Sequence, residues 1–202
     1  ELPTFDVHAS VMNLPLLFGT TLETIPRNIP YIFPSADRIA EWARTLAGDP
    51  PGSRVGIVWS GNPKHANDRR RSIPLRELEA ILSIPSAVIY SLQKGLASGQ
   101  LKESNRSGRI IDHTARLTDF QETAAMIHHL DSIVTVDTSV AHLAGAMGKR
   151  VLLMLPRVAD WRWMIEREDS PWYPTMRLIR QKDDGGWETI VRDVAISLNC
   201  DP

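Results

Sequence analysis

From Ser35 onward, short apolar runs alternate with segments whose apolar residues recur every three to four positions. Ser35 can N-cap a helix that places Ile39, Trp42, Ala43 and Leu46 on one face, with Gly48 as its stop. After the turn at residues 49–52, Arg54–Trp59 is an apolar run suited to a buried strand. A polar loop covers Ser60–Ser72, and Pro74 then opens a helix carrying Leu75, Leu78, Ile81 and Leu82. Ala87–Leu92 and Arg109–Asp112 read as the next strands. Asp119 and Glu122 have capping-box spacing, opening a helix with Phe120, Ala124, Ile127 and Leu130 inward. Ser132–Asp137 is a β-branched strand, Ser139–Met147 a helix of small residues stopped by Gly148, and Val151–Leu155 another strand. Met176–Ile179 makes a short last strand, and Trp187, Ile190, Val191, Val194 and Leu198 mark a closing helix after Gly185 and Gly186.

Near-continuous apolar strands alternating with amphipathic helices predict an α/β protein: a parallel sheet covered on both faces. Such sheets bind ligands beyond the carboxyl ends of their strands, so the residues after Trp59, Leu92, Asp112, Val136 and Leu155 are the ones to inspect. Residues 1–34 behave differently. They hold five of the 14 prolines and no sustained helical period, which predicts extended segments and turns with room for one short helix. Two readings stand for this stretch: a connector or tail of a preceding region, and an irregular arm packed on the core.

Composition narrows the class. The chain has 202 residues, 43% of them hydrophobic and 23% charged, with a mean hydropathy of −0.18, as in a globular domain. No window approaches ~18 apolar residues and no signal peptide opens the chain. The lone Cys200 has no internal disulfide partner, so the cytoplasm is the expected compartment. Basic and acidic residues number 23 and 24, which removes nucleic acid as a default partner. The length suits one domain of roughly 100–200 residues or two very small ones. The start at Glu1 rather than Met hints at a fragment or a processed product.

Three segments carry candidate chemistry. At Val136–Ala146 a strand ends and a helix begins within about three residues, where Thr138 or Ser139 can cap it. Free amides and the positive helix end then face the strand exit, a natural site for phosphate or diphosphate. His142 in the first turn reaches the same place; the bland reading is a capped helix whose histidine bonds a carbonyl. The Ser60–Ser72 loop carries four cations (Lys64, Arg69, Arg70, Arg71) against one acid, Asp68. Its place after a strand favours contact with a diphosphate over a merely solvated basic loop, with Gly61 allowing close approach. Residues 156–174 hold three of the six tryptophans and one of the three tyrosines, as anchors for the loop or as platforms for a sugar or base. No Gly-x-x-x-x-Gly-Lys-Ser/Thr or Gly-x-Gly-x-x-Gly element is present, nor a metal-spaced His or Cys pair or a nucleophile elbow. Adjacent His128 and His129 point about 100° apart on a helix and cannot chelate together. The Asn105–Ser107 sequon reads as accidental.

Val136–Ala146 resembles the Asp-Thr-Gly-x-x-His-Leu-x-Ala-Ala signature of the heptosyltransferase-like glycosyltransferases of family 9, with Ser139 where the signature has glycine. Val55–Ser72 and Asp160–Pro174 resemble segments of a bacterial group in which such a region follows tetratricopeptide repeats, and Phe5–His8 is similar to the end of its preceding lobe. The resemblance implies a GT-B architecture of two Rossmann-like lobes, this chain being the C-terminal, donor-binding one. Residues 1–34 would then be a remnant of the N-terminal lobe and residues 35–202 the nucleotide-sugar-binding domain. On that reading Asp137, Thr138, Ser139 and His142 line the donor diphosphate and sugar. Ser60, Gly61, Asn62 and Lys64 lie opposite, Arg70 or Arg71 steadies the leaving diphosphate, and Gln93 contacts the donor. The acceptor-activating base comes from the N-terminal lobe, so none is assigned here and the isolated fragment is expected to be inactive. The implied function is glycosyl transfer from a nucleotide diphosphate sugar without metal or cofactor. The implied acceptor is a glycan, a lipopolysaccharide precursor or a protein, and the full-length protein would associate peripherally with membranes. A nucleotide-sugar epimerase of the same architecture and a non-catalytic nucleotide-binding or scaffolding module are the alternatives.

Overall fold

The computed structural model describes residues 3–103, 108–182 and 186–200. Six strands form one sheet: β1 (Ser53–Val58), β2 (Ala87–Ser91), β3 (Ile110–Ile111), β4 (Ser132–Val136), β5 (Arg150–Leu155) and β6 (Met176–Arg180). Every neighbouring pair is parallel, in the order β3-β2-β1-β4-β5-β6. This is the doubly wound Rossmann arrangement, with the strand order reversing direction between β1 and β4. The predicted α/β class and the helices on both faces are therefore found as expected.

Alternation along β1 shows how one strand serves two cores. Val55, Ile57 and Trp59 face a cluster containing Leu75, Leu78, Ile81, Ile190, Val191 and Val194, while Val58 faces Trp42, Leu46, Ala124, Ile127 and Leu143. Gly56 has no side chain because a Cβ there would meet Leu130 and Leu92 methyls at 2.7 and 2.8 Å. The covering helices are Ala36–Leu46, Phe120–His128 and Ser139–Ala146 on one side, and Glu79–Leu82 with Glu188–Cys200 on the other. The segment after Pro74 opens with a 3₁₀ turn, Leu75–Leu78, before its α-helical turn.

Two inward assignments are corrected. Ala43 is exposed, because the Ala36–Leu46 helix packs through a narrow Trp42–Leu46 stripe and Ala43 lies about 100° around from Trp42. Phe120 is 59% exposed; it stands one turn before Ala124, beyond the end of the sheet. The capping box is half formed. Asp119 Oδ1 accepts the Glu122 N–H at 2.8 Å, but the Glu122 carboxylate turns to Arg38 and to the buried Trp42 Nε1 (2.8 Å). The sequon at Asn105–Ser107 and Gly185 lie outside the described residues.

The first part of the chain is irregular, with a 3₁₀ turn at Val11–Asn13 and one helical turn at Leu14–Leu17. Val7, Val11, Met12, Leu16, Leu17 and Phe18 are exposed. Nearer the sheet, Ile25 is buried and Ile29 packs on the core. The Tyr31 N–H donates to Ala146 O at 2.9 Å. Among the described residues no helix is long and apolar enough to cross a membrane.

Candidate functional site

A cleft of about 700 Å³ opens at the carboxyl ends of β1, β2 and β4, where the strand order reverses. That volume suits a cofactor-sized ligand. Of the residues singled out from sequence, Ser60, Gly61, Asn62, Arg71, Gln93, Asp137, Thr138, Ser139 and His142 all line it. Lys64 and Arg70 do not. Arg70 lines separate depressions with Pro156 and Val158, and Lys64 is exposed on its loop. Arg70 and Arg71 sit side by side on one helical turn, Asp68–Arg71, so only one can face the strand end.

The Ser60–Ser72 loop is closed at its neck. Ile73 N–H donates to Trp59 O (2.8 Å), Gly61 N–H to Ser72 Oγ (3.0 Å) and Ser60 Oγ to Ser72 Oγ (3.2 Å). Inside, Asn62 Oδ1 accepts Lys64 N–H at 3.0 Å, an Asx turn. Arg71 reaches across the cleft floor, donating to Asp137 O at 2.7 Å while pairing with Asp68 at 3.3 Å. Gly61 is what makes room for it: a Cβ there would lie 2.5 Å from Arg71 Nη2.

Gln93 has a role that its position after β2 does not reveal. Its Oε1 accepts the Trp59 and Ser60 N–H groups (3.0 and 2.8 Å), and its Nε2 donates to Ser60 O and Lys94 O (3.0 and 2.9 Å). Every hydrogen-bonding position of the carboxamide is occupied, and the residue is 2% exposed. Gln93 fixes the loop neck; its amide has nothing left to offer a ligand.

Opposite stands the Ser139–Ala146 helix, whose first turn no side chain caps. Thr138 occupies the N-cap, but its hydroxyl meets Thr135 Oγ1 at 3.2 Å, which corrects the capping expectation. Among the described residues the first-turn amides have no side-chain acceptor, although the Ala141 N–H donates to Thr138 O at 3.1 Å. Ser139 itself is exposed. At its other end the helix stops as predicted: Gly148 adopts φ +70°, with Lys149 N–H donating to Ala144 O at 3.0 Å.

His142 is half-buried. Its ring stacks on fully buried Trp163 (centroids 5.0 Å, 21°) and its Nδ1 lies 3.1 Å from the Tyr173 hydroxyl. Burial pushes its pKa below the ordinary histidine range, with Arg162 adding to the effect and Asp137 and Asp160 opposing it. The aromatic segment thus divides. Trp163 and Tyr173 anchor the loop, and Trp172 Nε1 donates to Arg162 O at 2.9 Å. Trp161, 58% exposed, borders a side pocket of about 210 Å³ shared with His142, Arg162, Trp172 and Tyr173.

Several lining residues were not singled out from sequence: Lys94, Phe120, Thr123, Asp160 and Arg162. Lys94 Nζ donates to Thr114 O at 2.9 Å, and Arg162 pairs with Asp160 at 2.8 Å while lying over the Trp161 ring. Burial alone would raise the Asp160 carboxyl, but the Arg162 N–H and guanidinium outweigh it and hold the pKa below the usual range. Adjacency to Gln93, and the Asp160-x-Arg162 spacing within an already notable loop, were the available signals. Among the described residues no three His, Cys, Asp or Glu side chains gather as metal ligands. His129 bonds Ile39 O at 2.8 Å and His128 is exposed.

Comparison with known proteins places this geometry. Residues 96–154 match the model of glycosyltransferase family 9 (heptosyltransferase), a segment that includes β4, the Ser139–Ala146 helix and Gln100 but not the Ser60–Ser72 loop. Protein FlbA of Caulobacter vibrioides is 26% identical over 201 residues, covering 96% of this chain and 33% of its own length. The structure of E. coli ADP-heptose LPS heptosyltransferase II superposes with a TM-score of 0.59 at 14% identity, over 89% of this chain and 56% of that one, a likeness of fold. The chain spans about a third of the curated relative it matches. One segment of the chain thus resembles glycosyltransferase family 9 (heptosyltransferase), and its Rossmann-like sheet shares the fold of a heptosyltransferase.

Proposed function

We propose that this chain is the donor-binding lobe of a GT-B glycosyltransferase, holding a nucleotide diphosphate sugar for transfer to an acceptor. The observation that carries the reading is the uncapped start of the Ser139–Ala146 helix, facing a 700 Å³ cleft at the switch point and lying within the family 9 segment. Its amides are donors aimed where a departing diphosphate gathers charge, a task that needs no metal. His142 lies in the first turn beside them, and Arg71 keeps the facing loop against the end of β4. Residues 1–34, with their exposed apolar side chains, belong on this reading to the adjoining lobe, and residues 35–202 to the donor domain. The acceptor-activating base comes from that adjoining lobe.

Calorimetric titration of the 202-residue chain with ADP, GDP, UDP and CDP tests the reading. At least one should bind, binding should survive EDTA, and His142→Ala should weaken it about tenfold, as expected for a lost hydrogen bond to an anion. Absence of binding by all four would overturn the proposal. In the longer polypeptide, sugar transfer to an acceptor separates a transferase from an epimerase, which turns over the donor alone, and from a binding module, which turns over nothing.

A further inference from the structure

Behind His142 the N-terminal arm, the site helix and the aromatic loop meet. Tyr31 is fixed on the arm by its own N–H, donating to Ala146 O at the last residue of the site helix. The Tyr173 hydroxyl lies 3.1 Å from His142 Nδ1. The Tyr173 ring is held edge-on to the imidazole (centroids 5.8 Å, 63°). It is seated so closely on the helix that a Cβ at Gly145 would lie 2.5 Å from it. Trp163 stacks on the imidazole. The ring is therefore clamped, and its remaining polar atom is Nε2, in a residue that lines the cleft.

A phenol has one proton to give. Tyr173 either donates to His142 Nδ1, or turns its proton away and accepts from an Nδ1–H. A phenol O–H is the stronger acid of the two possible donors, and an imidazole nitrogen is the stronger base of the two possible acceptors, so the first arrangement wins. We propose that Tyr173 is a positioning residue that holds His142 as the neutral Nε2–H tautomer, presenting a hydrogen-bond donor to an anionic oxygen in the cleft. The identity of that oxygen, a nucleotide phosphate, rests on the function proposed above; the tautomer does not. Burial keeps the imidazole neutral near pH 7 against the pull of Asp137 and Asp160. Burial keeps the Tyr173 proton in place by raising its pKa.

Long-range ¹H–¹⁵N correlation spectra of the ¹⁵N-labelled chain read the tautomer directly. The wild-type chain should show His142 protonated at Nε2. Tyr173→Phe, which keeps the ring against Gly145, should shift His142 to a tautomer mixture and weaken nucleoside diphosphate binding about three- to tenfold. Tyr31→Phe should retain the Nε2–H form, because Tyr173 still has its proton. An Nδ1–H tautomer in the wild-type chain, or an unchanged spectrum in Tyr173→Phe, overturns the proposal; so does a tautomer switch in Tyr31→Phe. The expected tautomers without any nucleotide binding would keep the positioning role and remove the function. Nucleotide binding with an Nδ1–H His142 would do the reverse.

Discussion

Replacing Gln93 with Met keeps the side-chain length and apolar contact but deletes the carboxamide that closes the loop neck. Four main-chain groups lose a partner: the N–H groups of Trp59 and Ser60 and the carbonyls of Ser60 and Lys94. The Trp59 N–H is buried, and a buried donor left unmatched costs about 1–3 kcal/mol. The other three sit nearer water, which recovers most of their bonding, leaving roughly 0.5 kcal/mol each. The sum is a loss of about 3 kcal/mol. With a urea dependence of about 2 kcal/mol per molar, the unfolding midpoint should fall by about 1.5 M. Lys94→Met is the control: among the described residues its exposed ammonium bonds Thr114 O alone, so stability should change by less than about 0.5 kcal/mol and the midpoint by less than about 0.25 M. If Gln93→Met unfolds within that same narrow range, the carboxamide does not hold the loop, and the account of the cleft wall fails.

Two further consequences concern the cleft itself. Gly61→Ala places a Cβ 2.5 Å from Arg71 Nη2 and 2.6 Å from Asp68 Oδ1, so the guanidinium must shift, which loosens its bond to Asp137 O. Titration should show nucleoside diphosphate affinity reduced about tenfold, or ~1.4 kcal/mol, and unchanged affinity would mean that Arg71 does not shape the site. For pH, burial depresses the folded-state pKa of His142 first, and that of His128 likewise. Above about pH 6.5 both the folded and unfolded forms are neutral; as pH falls below it the unfolded chain takes up protons that the native chain refuses, and stability declines until the native pKa is passed. Urea midpoints measured from about pH 7.5 down to 5 should therefore fall, and His142→Gln should flatten the slope without abolishing it. An identical slope in the variant would mean that the imidazole is not held neutral.

How far the sequence alone reaches can be seen residue by residue. The strands were legible because a sheet buried on both faces demands runs such as Val151–Leu155, in which nearly every position is apolar. Their carboxyl ends could then be named as the ligand side. The order that brings β1 beside β4, and so Ser60 opposite Ser139, depends on long-range pairing that no local pattern encodes. Arg71 could not be separated from Arg70 by composition, since a helical turn decides which of them faces Asp137. Gln93 was placed correctly and misread, because a polar residue after a strand looks the same whether its amide meets a ligand or a neighbouring backbone. Phe120 kept the helical period and still ended outside the core, because periodicity does not say where the sheet stops.

Those pairings bear on how an anion would be recognised. The basic loop suggested a cationic clamp, yet the cations lining the cleft are already engaged: Arg71 with Asp68 and Asp137 O, Lys94 with Thr114 O, and Arg162 with Asp160. Among the described residues, what faces the cleft without a side-chain acceptor is the start of the Ser139–Ala146 helix together with His142 Nε2, fixed dipoles rather than free charges. The two modes of recognition differ in their response to salt. Mobile exposed cations are screened over a Debye length of ~10 Å at 0.1 M salt, while short hydrogen bonds inside a cleft are screened much less. Nucleoside diphosphate affinity should accordingly fall less than about threefold between roughly 0.05 and 0.5 M salt. A steep decline, abolished by Lys64→Ala with Arg70→Ala, would return the anion to the exposed loop and take it away from the helix.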